Sequence, residues 1–580
     1  MGKSSTCHMR TSAMITLLHN PWMRPGRTWK NARILFRDLP RCLSSRESGS
    51  HGNVVKSPFS EVPQPSGNLV RTVFEHFQRY GSQTAIECAV TGKSYTYDHL
   101  LETVSRWAGF LTRLGISKGD VIAVYMPNCP EYPVVLFGSI SVGVVVTTVS
   151  NHYTSEELDR QLNDSKAKLL VSAPSLDSKV MSSLERQKSP LPVVMNGPSR
   201  IPGALDLLKI LEDPKTPSAD VVEVSNKDLA LMPYSSGTTG NPKGVAISHG
   251  ALSMNIRMFT HPSLFCTPMA TEKYRSKYLC VLPFYHIYGM LVNCVIGLHA
   301  GAKLVTVPAF EPNLYISTLK KHEFDMIHLV PPLLNFLVKS PEVTRDVLSS
   351  VKSMLVGAAP VSPTEAKAFK AKFSEDIFVQ EGYGMTEMLI TNLTPVGKER
   401  LGTSGQLLPN ISAKIINTST GEVLPPSHTG EVCFKTPGMM TGYFQNKAAT
   451  SSTVDEEGWL HTGDVGFFDE EGFMKIVDRT KELIKVKGLQ VSPSEIEDVL
   501  RRHPKVLDVG VVGVPHERLG EAPRAYVITK EGVSGDDIHR FLEDRLAPHK
   551  KLTGGVTFVK ALPKSASGKL LRRELKNMAQ

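Results

Sequence analysis

The sequence predicts an α/β protein in two parts: a large N-terminal domain of parallel-sheet α/β layers and a small C-terminal α+β lid. Three observations carry that prediction. Between residues 228 and 390 short apolar runs alternate with amphipathic ones, and strands separated by helices of this length argue for parallel sheets. The pattern changes near Asp478, after which about 100 residues carry their own alternation, enough chain for a small second domain. At 580 residues the chain is too long for one core.

Residues 1–50 form a leader with nine basic groups and two acids, so they contribute +7 of the net +10 and leave about +3 for the rest. A nucleic-acid partner would need a basic face on the folded body, and the near-neutral body excludes that class. An Arg-rich, Ser/Thr-containing, acid-poor leader has the composition of an organellar transit peptide. The expectation is therefore an intracellular protein directed to mitochondria, with a cytoplasmic or peroxisomal location and a merely disordered basic tail as the alternatives. The last residues, Met578-Ala579-Gln580, are not a peroxisomal tripeptide.

Patterned sequence begins after a Pro/Ser/Gly-rich joint at 57–67. Residues 132–155 lack Asp, Glu, Lys and Arg but contain Pro133, Gly138 and Gly143. A buried helix running into a core strand explains them better than a membrane span, and no transmembrane segment is expected. A strand is predicted at 229–233, then a helix over 248–259 with Ser248 as N-cap. Strands follow at 303–307, 326–330, 354–357 and 377–380, and helices at 314–322, 331–338 and 363–373. Turn-rich segments at 438–443 and 457–464 close the large domain, placed at 55–478. The lid, 479–580, is predicted to hold helices at 494–502 and 536–546 and strands at 509–514 and 525–529. Eight cysteines include no Cys-x-x-Cys pair, so reduced thiols without metal-site spacing are expected.

The strongest chemical signal is Tyr234-Ser235-Ser236-Gly237-Thr238-Thr239-Gly240-Asn241-Pro242-Lys243-Gly244. It lies between a predicted strand and helix. Its glycines allow close backbone approach, its hydroxyls and N–H groups can donate to anionic oxygens, and Lys243 adds a charge. That suits a triphosphate. The residues flanking the lysine, Pro242 and Gly244, exclude a Walker A loop.

This string resembles the signature loop of the adenylate-forming superfamily: acyl- and aryl-CoA synthetases, peptide-synthetase adenylation domains and beetle luciferases. The chain looks most like the 4-coumarate:CoA ligase and luciferase branch, from about residue 60 to 576, and five further motifs follow in the family's order. The resemblance implies a mobile lid and the following roles. Gly357, Ala358, Ala359 and Pro360 match the stretch whose backbone flanks adenine. In Gly382-Tyr383-Gly384-Met385-Thr386-Glu387, the tyrosine stacks on adenine, the threonine contacts the α-phosphate, and the glutamate helps hold Mg2+. Asp464 and Arg479 match the residues that hold the ribose hydroxyls. His286 matches a histidine between the ATP and acyl sites, and Lys481 sits at the hinge. Lys487 and Gly488 lie in the loop that faces the site during thioester formation with coenzyme A. Lys569 matches the lysine that bridges acyl carboxylate and phosphate during adenylation.

Singly, each of these residues has an ordinary reading as a turn, core or solvated group; their joint occurrence in register points to chemistry. Joining a carboxylate to AMP supplies a good leaving group. The attack on the α-phosphate needs two anions held in line while charge shifts to pyrophosphate, so cations and donors should dominate the site. The resemblance implies an acyl pocket lined by segments 284–290, 355–360 and 382–390, and these offer no Lys or Arg for a second carboxylate and no Asp for an α-amino group. An unpaired buried charge would be costly, so an apolar monocarboxylate is expected, a medium- or long-chain fatty acid or an aryl acid. Met388-Leu389-Ile390 stands where plant 4-coumarate ligases have small residues and a Pro-Val pair. The ligase is thus expected to take a small-molecule acid, ATP and CoA. The alternatives are adenylation for a carrier protein and luciferase-like activity; a non-catalytic relative would have lost Glu387, Asp464 or Lys569.

Overall fold

The computed structural model describes residues 53–187, 191–235, 242–486, 489–543, 545–564 and 570–578. Among them the strands form four sheets, two of nine strands, one of six and one of five. The first large sheet runs Leu229–Leu231, Val145–Thr148, Val121–Tyr125, Leu169–Ser172, Val193–Met195, Leu205–Asp206, all parallel. Lys243–Ser248 adds antiparallel at its edge. The second has a parallel centre of Phe378–Met385, Ser353–Val356, Met326–Leu329, Lys277–Cys280, Lys303–Thr306 and Thr84–Cys88. Antiparallel Leu389–Leu393 and Ser94–Thr96 extend its two sides.

Central strands such as Val145–Thr148, Leu169–Ser172, Met326–Leu329 and Ser353–Val356 are buried at every position. Parallel strands covered on both faces must be continuous apolar runs, and Met326–Leu329 and Ser353–Val356 fall where such runs were expected. Helix Tyr132–Ser141 is likewise buried along its whole length and leads into Val145–Thr148. It crosses Tyr97–Arg113 closely because position 138 has no side chain: a Cβ on Gly138 would stand 2.7 Å from the Val104 carbonyl oxygen. Trp107 Nε1 donates to Ser139 Oγ at 2.9 Å across the same contact. No helix among the described residues is long and apolar enough to cross a membrane.

Helix His249–Phe259 starts at its predicted cap, the Ser248 hydroxyl accepting from the Ala251 N–H at 3.1 Å. The helices expected at 314–322, 331–338 and 363–373 appear as Pro312–Lys321, Pro331–Lys339 and Pro363–Lys372, each with proline in its first turn. Several strands run past their expected ends: Val506–His516 and Gly520–Thr529 exceed 509–514 and 525–529, and Leu460–Phe468 takes in part of a segment expected as turns. Phe378–Met385 runs five residues past 380, through the polar Glu381 and two glycines. Pairing with Ser353–Val356 ends at Glu381, and from Gly382 to Met385 pairing with Leu389–Leu393 holds the strand extended, overriding weak strand propensity.

The six-stranded antiparallel sheet contains Ser412–Ile416, Gly430–Lys435, Leu460–Phe468 and Met474–Arg479. Strands from Ile484–Val486 onward belong instead to the five-stranded sheet of a smaller C-terminal domain. Its core of Ile484, Val491, Ile496, Leu500, Val511, Val527 and Ile538 packs helices Pro493–Arg501 and Gly535–Glu543 on the sheet. The buried Asp478 carboxylate ties the two parts. Its Oδ2 accepts from Ser492 Oγ at 2.6 Å and from the Ser494 N–H at 3.0 Å, at the N-terminus of Pro493–Arg501, where negative charge is favoured. Arg572 bridges Glu482 at 2.8 Å, Glu497 and the Val511 carbonyl. Lys339 Nζ donates to the Leu507 carbonyl at 2.8 Å.

Candidate active site

Ser353–Val356 and Phe378–Met385 are neighbouring parallel strands, with Val356 paired to Glu381. Their C-terminal ends therefore bring Gly357–Pro360 beside Gly382–Met385: a Cβ on Gly357 would lie 3.4 Å from the Gly382 carbonyl oxygen. The carboxyl ends of parallel strands are where open α/β sheets bind ligands. Ala358 holds φ +68° there, exposed, a left-handed conformation that non-glycine residues adopt at a cost.

Tyr383 leaves this strand and donates its hydroxyl to Asp464 Oδ2 at 2.6 Å. Its ring stacks on Phe434 with centroids 5.8 Å apart. Burial, then the Asp464 carboxylate, pushes the phenol well above its ordinary value, so it remains a donor. Asp464 and Arg479 are cross-strand partners, and Arg479 Nε stands 3.1 Å from Asp464 Oδ1. The carboxylate is thus held at both oxygens, and each oxygen keeps a further lone pair. Thr462 Oγ supports the turn by accepting from the Asp464 N–H at 3.0 Å and donating to the Val432 carbonyl at 2.7 Å.

A second cluster lies along the edge strand. Lys243 pairs with Ser235, and its Nζ sits 5.1 Å from the centre of the Tyr443 ring. The Tyr443 hydroxyl donates to Glu387 Oε1 at 3.0 Å. Glu387 is buried and Thr386 beside it is half-buried. A buried carboxylate with one oxygen free of that bond suits a hard divalent cation.

His286 is half-buried beside the Tyr285 ring, centroids 4.8 Å apart. Burial pushes its imidazole down to about 4, with His152 acting in the same direction, so it is neutral at physiological pH. Its turn opens the π-helical segment Gly289–Ile296, a geometry found mostly at functional sites. Tyr288 links this turn to the strand ends, donating to the Leu355 carbonyl at 2.9 Å and lying 3.7 Å from the Gly357 Cβ position. Lys481 is exposed in the turn after Arg479. Ser236, Gly237, Thr238, Thr239, Gly240, Lys487, Gly488 and Lys569 lie outside the described residues.

The structure therefore brings Gly357, Gly382, Tyr383, Asp464 and Arg479 into one cluster, and Ser235, Lys243 and Glu387 into another. Sequence reasoning missed Tyr443 and Phe434, and took in Tyr288 only as part of segment 284–290 without a role of its own. Tyr443 sits in a segment read only as turns, and its signal was an aromatic after glycine in that turn. Phe434 and Tyr288 look like ordinary core residues.

Residues 73–444 match the family described as AMP-binding enzyme, and residues 495–569 match the AMP-binding enzyme C-terminal domain. The chain is 34% identical over 538 residues to a probable 4-coumarate–CoA ligase 3 of Dictyostelium discoideum, covering 90% of this chain and 97% of the relative. It is 34% identical to the peroxisomal OPC-8:0-CoA ligase 1 of Arabidopsis thaliana, covering 90% and 95%. The crystal structure of ATP-bound MatB from Rhodopseudomonas palustris superposes with a TM-score of 0.79 at 27% identity, over 88% of this chain and 98% of that one. The chain belongs to the AMP-binding, adenylate-forming enzyme family, in the branch of the 4-coumarate:CoA ligases and related AMP-forming acid–CoA ligases.

Proposed function

We propose that this protein is an acyl-CoA synthetase that joins an apolar monocarboxylic acid, fatty or aryl, to coenzyme A at the expense of ATP. The observation that carries this reading is the Tyr383–Asp464–Arg479 cluster, beside acyl-pocket segments without a spare cation. Asp464 accepts from the ribose hydroxyls while Tyr383 and Arg479 fix its orientation. The face of Tyr383 away from Phe434 receives adenine. Lys243 and the Ser236–Gly240 loop hold the phosphates. Glu387 would hold Mg2+, which when bound offsets charge on the phosphate oxygens.

A carboxylate oxygen then attacks the α-phosphorus and pyrophosphate leaves with the electron pair. In the second half the CoA sulfur, having lost its proton, attacks the acyl carbon and AMP leaves. Neutral His286 adds no charge to the acyl-pocket segment 284–290. The two halves fall to Lys569 and Lys487, on one C-terminal domain that turns at Lys481. The basic leader directs the protein to mitochondria.

An acid panel assayed by CoA-dependent AMP release tests the main reading. Apolar monocarboxylates should give the highest kcat/KM; a short dicarboxylate as best substrate would overturn the pocket argument. Lys569→Ala should lose adenylate formation yet convert supplied acyl-adenylate, by a difference on the order of 10²–10³ in rate. Equal slowing of both halves would refute the division of labour. A fluorescent fusion of residues 1–60 that stays cytosolic would refute the leader assignment.

A further inference from the structure

Behind the Asp464 turn, strands Gly430–Lys435 and Leu460–Phe468 place three metal-ligating side chains on one face. Cys433 and His461 are cross-strand partners, and a bulge lies between Cys433 and Glu431, two residues back. Cys433 Sγ stands 3.6 Å from His461 Nδ1, and Glu431 Oε2 stands 3.7 Å from the same nitrogen. The ligand atoms of all three lie within 4.8 Å of one another.

The geometry points to a binding site for a thiophilic divalent cation of the Zn2+ class, held by Cys433, His461 and Glu431 with its fourth position open to solvent. Tetrahedral Zn2+ with its usual bond lengths separates sulfur from nitrogen by about 3.5 Å and nitrogen from oxygen by about 3.3 Å. Two edges of the triangle already stand near those values. The third closes by a rotation of the Glu431 side chain. Thiolate, imidazole and carboxylate together favour Zn2+ over Mg2+ or Ca2+.

The groups around the three ligands fit the same reading. His461 Nε2 faces Asp455 Oδ2 at 3.4 Å, and Asp455 Oδ1 is itself fixed by the Trp459 N–H at 2.8 Å. A carboxylate on the far ring nitrogen sets the tautomer so that Nδ1 presents its lone pair to the metal. Glu431 is oriented by the Gly463 N–H, which donates to Oε1 at 2.9 Å and leaves Oε2 for the ion. Lys414, the cross-strand neighbour of Cys433 on its other side, is drawn to the Trp459 ring at 4.8 Å and to Asp455 at 3.6 Å. Cys433 is buried, while His461 and Glu431 are half-buried and give an entry path. Binding displaces the Cys433 proton to solvent. Because Glu431 grips Gly463, next to Asp464, occupancy stiffens the turn that carries Asp464.

The test titrates tag-free, chelator-treated full-length protein with Co2+ and then Zn2+. One equivalent of Co2+ should give a thiolate-to-cobalt charge-transfer absorption, Zn2+ should displace it, and Zn2+ should raise Tm. Cys433→Ser should abolish the absorption. Asp455→Asn, which keeps all three ligands, should weaken binding by about 10–100-fold, and Glu431→Gln should weaken it at least as much. Both leave the buried thiol in place and carry the test if Cys433→Ser misfolds. Absence of the absorption in the wild type, its persistence in Cys433→Ser, or unchanged affinity in both Asp455→Asn and Glu431→Gln would overturn the assignment.

Discussion

Tyr383→Phe removes one hydroxyl and leaves the ring on Phe434. The lost bond is short, 2.6 Å, and its acceptor is an ionised carboxylate in a buried turn. Hydrogen bonds to charged groups are worth about 1.5–3 kcal/mol. Arg479 still holds Oδ1 at 3.1 Å, so the lower half of that range applies. At about 1.4 kcal/mol per tenfold change, KM for ATP should rise on the order of 10–40-fold. Because the role proposed for Asp464 is at the ribose and not at the reacting atoms, kcat should change less than KM. Initial rates of AMP release at saturating acid and CoA measure both, with a thermal melt to show the fold is intact. A KM within about twofold of wild type, Tm unchanged, would refute the claim that Tyr383 positions the ribose acceptor; that margin is well below the 1.5 kcal/mol floor.

Gly384→Ala would place a Cβ 2.2 Å from the Leu389 carbonyl oxygen and 2.9 Å from Ile390 Cα. Backbone must move, so a loss of about 1–3 kcal/mol in urea unfolding and a raised KM for ATP are expected. Ser248→Ala removes a buried N-cap and should cost about 1 kcal/mol in the same assay with ATP kinetics unchanged. His249, His299 and His328 are buried, and burial holds them down at about 4, 4 and 3 against an ordinary 6.5. The unfolded chain therefore binds protons that the native chain refuses. Stability is full above about pH 6.5 and falls by up to about 1.4 kcal/mol per pH unit per histidine below it. Melts at pH 7.5 and pH 5 measure this. His249 Nδ1 accepts from the Leu69 N–H at 3.1 Å, and His249→Asn should flatten the profile.

The parallel strands expected at 303–307, 326–330 and 354–357 were legible because burial on both faces leaves apolar runs that composition reveals. The glycine-rich end of Phe378–Met385 was not, because its extension depends on pairing with Leu389–Leu393 and not on its own residues. The same contrast divides the site. Asp464, Arg479 and Glu387 were found through their motifs, and the structure adds what holds them. Tyr443 reaches Glu387 from 56 residues away, and Cys433 meets His461 from 28. Sequence spacing carries no trace of such cross-strand meetings, so the eight cysteines suggested no ligand set.

Asp478 gives the C-terminal domain a latch. Its carboxylate lies before the turn at Lys481, and the two groups its Oδ2 accepts from, Ser492 Oγ and the Ser494 N–H, lie after it. Any rotation of the small domain about that turn must exchange both bonds, along with the Lys339–Leu507 contact, for bonds to water. The arrangement of domains in this structure is therefore held by a few polar contacts that can be remade. The Ser494 amide, protected only while the latch is shut, is a built-in reporter: its hydrogen-exchange rate counts the openings.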